Sequence, residues 1–243
     1  MKIKVTIFSI AIFLVVLGIV ISFNNKNEES INVNAIPIMN KTIVLDAGHG
    51  LPDQGAEGVY GTTEQLINLQ ITFKIQEMLE QSGVNVILTR SDENGIYSKD
   101  KKSIYDKKVS DIKNRVEIVN NSQANILVSI HLNKYPQDSI YRGWQTFYKK
   151  DNAQGMSLAE SIQKSINSNI EYNNTRTCHS IKDIYLIDNI VIPGVIVECG
   201  FLSNYEETEL LLTDEYQNKI AWGIYLGIIN YFKEEEENEG LLG

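Results

Sequence analysis

The chain has 243 residues, 43% of them apolar, and a net charge of −9 at neutral pH. That length and apolar content suit one sizeable folded domain and exclude global disorder. The acidic balance excludes a nucleic-acid partner, which needs a basic face, and any anionic group on a ligand must be gripped by local cations instead.

Residues 5–23 form an uncharged, almost wholly apolar run, preceded by Lys2 and Lys4 and followed by Glu28 and Glu29. About 20 such residues span a bilayer as a helix, and the lysines place the N-terminus inside and the rest of the chain outside. The run is longer than the apolar core of a typical cleaved leader, and no small-x-small site follows it closely. Residues 1–23 are therefore expected to be an uncleaved anchor. Residues 24–40 are polar, contain Pro37 and show no period, as a linker would. A single domain is expected over 41–233.

Within it, strand-like and helix-like segments alternate. Residues 43–46 predict a strand. Thr62 or Thr63 caps a helix whose apolar positions Leu66, Ile67, Phe73, Ile75, Met78 and Leu79 fall roughly on one side, and Gly83 ends it. Residues 84–89 predict a second strand. The lysine-bearing stretch 98–108 breaks the alternation and is expected to be a surface loop. Ser110 and Asp111 open a helix through Asn121, with Ile112, Val116 and Val119 inward. The continuous apolar run 125–131 predicts a strand buried on both faces. A strand over 144–148 and a helix over 156–170 follow, the latter with Leu158, Ile162, Ile166 and Ile170 spaced three or four apart. Strands are expected at 184–187 and 195–199, and a closing helix over 221–232. The acidic tail, 234–243, is expected to fray. The pattern predicts a three-layer α/β/α fold with a mainly parallel central sheet, preceded by one transmembrane helix. Cys178 and Cys199 are expected to be free thiols, Cys199 as a packing residue.

Chemistry gathers at three strand ends. His49 lies between Gly48 and Gly50 after the first strand, His131 ends the third, and Glu198 follows Val195-Ile196-Val197. In open α/β sheets ligands bind outside the carboxyl ends of strands. Glu64 opens the helix after the stretch holding Gly55, Gly58 and Gly61, a loop able to swing that helix start over the same edge. Two imidazoles and a carboxylate make a three-ligand zinc site with a fourth position left for water. Taken singly, either histidine reads as a buried hydrogen-bonded group and Glu64 as the acid any helix N-terminus favours. With only three histidines in the chain, the joint placement of two favours the metal. Glu198 emerges from an apolar wall, where a free carboxylate is costly unless it has a task. Beside a metal it can carry a proton from an attacking water to a leaving amine. Asp46 lies near His49 and is a candidate to orient it. Asn133 shares a strand face with His131 and is a candidate for holding substrate. Arg90, Arg115, Arg142 and Arg176 are candidates to grip a substrate carboxylate, with Arg176, in a polar loop, preferred. His179 reads as a rim residue.

Asp46-Ala47-Gly48-His49-Gly50, Glu64, Ser129-Ile130-His131-Leu132-Asn133 and Val197-Glu198-Cys199-Gly200-Phe201-Leu202-Ser203-Asn204 together resemble the zinc-dependent N-acetylmuramoyl-L-alanine amidases of the amidase-3 type. The resemblance covers about 41–232. It implies His49, Glu64 and His131 as ligands of one Zn2+ per chain and Glu198 as the catalytic glutamate. It also implies peptidoglycan as substrate, cut between the lactyl group of N-acetylmuramic acid and the first L-alanine of the stem. Leu51 stands where many members have a second glycine. An anchored catalytic domain without wall-binding repeats resembles, within that family, the sporulation amidases that strip cortex peptides so that muramic-δ-lactam forms. That implies an extracytoplasmic, membrane-anchored enzyme in the forespore intermembrane space. Ligands drawn from loops and a helix start, with no binding module, point to an accessory activating protein. The alternatives are another zinc peptidase acting within stem peptides, or a non-catalytic wall-binding protein.

Overall fold

A computed structural model describes residues 38–242. The expected anchor, and the linker as far as residue 37, lie outside the described residues. Six strands, β1 (Thr42–Ala47), β2 (Asn85–Leu88), β3 (Ile126–Asn133), β4 (Gln145–Lys149), β5 (His179–Ile181) and β6 (Gly194–Phe201), form one sheet in the order β2-β1-β3-β6-β4-β5. All neighbours are parallel except β4, which runs antiparallel to β6. The helices are α1 (Glu64–Gln81), α2 (Ile104–Asn121), α3 (Ala153–Asn169), α4 (Tyr185–Asn189), α5 (Tyr205–Leu211) and α6 (Asp214–Leu242).

Helices cover both sides of the sheet because the central strands are apolar on both faces. Ile43, Leu45, Val128, Ile130, Val195, Val197 and Cys199 pack with α1, α3 and α6. Val44, Leu127 and Ile196 pack with α2 and α4. Side chains alternate along a strand. Asp46, Ser129, His131 and Glu198 therefore fall on the α2/α4 side, at the carboxyl ends of β1, β3 and β6. The parallel register sets His131 directly opposite Glu198.

Three expectations need correction. Residues 184–187 are not a strand: Tyr185–Asn189 is a short helix that buries Leu186 and Ile187 together, and the edge strand is His179–Ile181 instead. The stretch 98–108 is only half a loop, because α2 starts six residues earlier than Ser110, at Ile104. Ser103 caps it by accepting from Asp106 N at 3.0 Å, a signal hidden among the lysines. The acidic tail is helical, as α6 runs on to Leu242. Cys178 and Cys199 are unbridged, and Cys199 is buried, as expected.

Below the strand ends lies a buried ion pair. Asp46, 1% exposed, accepts from Arg115 Nη1, from Thr89 Oγ1 at 2.6 Å and from Ser129 Oγ at 2.5 Å. Arg115, 2% exposed, also bonds Asp111 and the carbonyls of Ala47 and His49. Asp46 therefore does not touch the His49 ring; it fixes the arginine that fixes the His49 backbone. Burial opposes ionisation of Asp46, but the Arg115 charge and the two hydroxyls hold its carboxyl at about 2 instead of 3.8. A depressed carboxylate adds stability that is complete above the unfolded value and is lost as pH falls through the folded one. Acid should accordingly remove this contribution between about pH 4 and 2. Arg115→Met leaves the carboxylate buried without its partner and is expected to cost roughly 3–5 kcal/mol in urea unfolding at pH 7. A cost below about 1 kcal/mol would contradict this role for the pair.

Candidate metal centre and catalytic cleft

The loop after β1 is shaped by what it must clear. His49 adopts a left-handed backbone (φ 63°) between its two glycines. A Cβ on Gly48 would lie 2.3 Å from the His131 ring, so only glycine lets the two segments approach this closely. Gly55, at φ 69°, is similarly confined: a Cβ there would lie 2.5 Å from Glu64 Oε2. The chain then turns back so that Glu64 N donates to Ala56 O and Gln65 N to Gln54 O, seating the start of α1 over the sheet edge.

These approaches bring His49, Glu64 and His131 together. One ligand atom from each lies within 4.8 Å of the others. His49 Nε2 is 3.2 Å from Glu64 Oε2, and His131 Nδ1 is 3.0 Å from Glu64 Oε1. Glu64 is held for this double task by Ala56 N on Oε2 (2.8 Å) and by Leu132 N on Oε1 (3.0 Å). Although buried, it stays ionised far below the usual carboxylate range because both imidazoles face it. Burial lowers the pKa of the His49 imidazole, but Asp53 and Glu64 overcome this and raise it to about 9. A metal entering near neutrality must therefore displace a proton. Two nitrogens and one oxygen, converging and otherwise mutually repaid only by a proton, are a donor set that zinc accepts.

Glu198 stands on the same cleft of about 560 Å³, which is also lined by Asn133, Phe147, Ile196 and Leu186. Its Oε2 is buried and has no hydrogen-bond partner. Burial, with some help from the Glu64 charge, pushes its pKa to about 7, against the opposing pull of His131 and His49. A carboxyl poised there can both accept and return a proton. Cys199 faces the opposite side, in the core.

Other sequence candidates fall elsewhere. Arg176 lies outside the cleft lining; its guanidinium sits 4.7 Å from the Phe201 ring centroid. Arg90 is buried and donates to the carbonyls of Ala47, Gly48, Gln65 and Asp92. Arg142 pairs with Glu206, and His179 is exposed on the edge strand. Sequence reasoning missed Asp53, whose Oδ2 is 3.0 Å from His49 Nδ1. Its only signal was an acid four residues beyond a histidine in a turn.

The family model described as N-acetylmuramoyl-L-alanine amidase matches residues 43–230. The chain belongs to that family. The amidase is 35% identical over 235 residues to the germination-specific N-acetylmuramoyl-L-alanine amidase of Bacillus subtilis (strain 168), covering 97% of this chain and 98% of that one. Among solved structures, it is similar to the CwlD amidase from Clostridioides difficile in complex with the GerS lipoprotein (46% identity, 80% of this chain, 99% of that chain, TM-score 0.78). The catalytic domain of CwlV from Bacillus (Paenibacillus) polymyxa var. colistinus is 30% identical, over 79% of this chain and 98% of that one, with TM-score 0.68.

The Gly48 contact yields a direct test. Gly48→Ala should displace His131 and lower zinc affinity by roughly 10–100-fold, as loss of a ligand's support does. Competition against a chromophoric chelator measures it. Unchanged affinity would mean that His131 does not hold the metal.

Proposed function

We propose that this amidase hydrolyses the bond between the lactyl group of N-acetylmuramic acid and L-alanine of the peptidoglycan stem, with one zinc ion held by His49, Glu64 and His131. The observation that carries the reading is the unpartnered Glu198 oxygen beside the His–Glu–His cluster. Bound zinc would supply Lewis acidity to the scissile carbonyl and to the attacking water. Glu198 takes a proton from that water as its oxygen adds to the lactyl carbonyl carbon. It then passes the proton to the departing alanine nitrogen as the C–N bond breaks, leaving a lactyl carboxylate and a free amine. Phe147, Ile196 and Leu186 give the cleft an apolar wall, and burial of the Glu198 carboxyl raises its pKa. Asn133, on the cleft, would hold a substrate amide. Arg176, beyond it, would grip a carboxylate further along the stem.

The germination-specific relative from Bacillus subtilis supports a spore role, and we take stem removal in the cortex, ahead of muramic-δ-lactam, as the step performed. The apolar run at residues 5–23 would anchor the enzyme on the extracytoplasmic side, in the forespore intermembrane space. Since the relative from Clostridioides difficile was solved with a lipoprotein, we also expect an accessory partner of that kind here.

Glu198→Gln should retain zinc and fold while losing roughly 10²–10⁴-fold in turnover of cortex peptidoglycan. Product analysis of wild-type digests should show new N-terminal L-alanine; cleavage inside the stem would overturn the assignment. Only the ionised form of Glu198 accepts the proton, and a nearby cation favours that form. The acid limb of kcat/KM should thus fall at or below pH about 7, rates dropping as pH decreases.

A further inference from the structure

The lysine-bearing stretch contributes one side chain to the cleft that the hydrolysis leaves unused. Lys108 Nζ lies 2.7 Å from Asp53 Oδ1, and Gly55 N donates to the same oxygen at 3.2 Å. Gly50 and Asp53 exchange two backbone hydrogen bonds of 2.9 Å, which close the turn that carries them. The Asp53 carboxylate is thus held from its own backbone, from Gly55 and from Lys108, and its second oxygen meets His49 Nδ1 at 3.0 Å. The other ring nitrogen, Nε2, is the one that faces Glu64.

The two histidines are supported unequally. His131 belongs to β3, where it pairs with Glu198 of β6 and follows Ile130, which pairs with Ala47 of β1. His49 sits on a left-handed turn beyond the end of β1. Its ring needs an outside brace, and a carboxylate at Nδ1 is the brace that keeps the proton on that nitrogen and frees the Nε2 lone pair.

We infer that Asp53 and Lys108 are a positioning pair for the metal centre: Asp53 sets the tautomer and plane of His49, Lys108 holds Asp53, and the 98–108 segment thereby sets how tightly the metal is retained. This rests on the zinc reading above. A half-exposed ion pair by itself contributes little to stability. Here its effect passes to an imidazole, so the place to look is metal affinity.

The test uses the full chain as wild type, Asp53→Ala, Lys108→Met and the double variant, each titrated with zinc against a chromophoric chelator. Asp53→Ala should weaken zinc roughly 10–100-fold. Lys108→Met, on the surface and harmless to folding, should weaken it about two- to fivefold, the range of one exposed ion pair. In the Asp53→Ala background the lysine substitution should change nothing further. In the zinc-free chains held well above pH 9, where the imidazole is neutral, long-range 1H–15N spectra should show the His49 proton on Nδ1 in wild type and a tautomer mixture in Asp53→Ala, a readout that a purely structural role would not move. Equal zinc affinity in wild type and Asp53→Ala would overturn the inference, as would a lysine effect of the same size in both backgrounds. A wild-type chain that takes up no zinc would remove the zinc reading along with it, whereas zinc uptake unaffected by Asp53→Ala removes this inference alone.

Discussion

The fold turns on one carboxylate. Glu64 begins a helix that packs on one face of the sheet, yet its side chain serves two histidines whose strands present them on the other face. It can do so only because Ala56 N and Leu132 N hold one oxygen each, so that each oxygen is aimed at a different ring. Both amides come from segments that adjoin the histidines, so the anchoring of Glu64 and the placing of the rings are one event. The glycines at 48 and 55 serve the same approach, since a methyl group at either would occupy the space of a ring or a carboxylate oxygen.

Beneath this cluster the Asp46–Arg115 pair ties three elements, β1, β3 and α2, to the backbone of the loop that carries His49. A buried pair of this kind is a poor way to gain net stability, but it is directional. It fixes where the loop leaves the sheet. The segment between β2 and α2 works toward the same end: Leu51 N donates to Glu93 O, Gly95 N donates to Leu51 O, and Asp111 accepts from Ile96 N. Residues 93–96 are therefore a buttress for the loop over the cleft, while 98–103 stay at the surface as the sequence suggests.

The strands that carry chemistry were legible because their apolar runs are continuous and end abruptly at His49, His131 and Glu198. The long helices were legible from spacing such as Leu158, Ile162 and Ile166, although the start of α2 was masked by lysines around a Ser103 cap. Residues 184–187 misled because a four-residue apolar run has no period of its own; only the burial of Leu186 and Ile187 against α2 decides for helix. The convergence of His49, Glu64 and His131 could be anticipated from strand ends and a glycine-rich return. The brace at Asp53 and the pairing of Arg115 with Asp46 could not, because they depend on contacts between segments far apart in sequence, such as Lys108 with Asp53, that leave no local pattern.

The central claim is that two imidazole nitrogens and one glutamate oxygen clasp a single zinc ion in the cleft shared with Glu198. Zinc-edge X-ray absorption on the zinc-loaded chain tests it most directly. The expected spectrum shows only nitrogen and oxygen neighbours at about 2.0–2.2 Å, two of them imidazoles, with one imidazole lost in His131→Ala. Sulfur at about 2.3 Å, or a spectrum unchanged by that substitution, would contradict it.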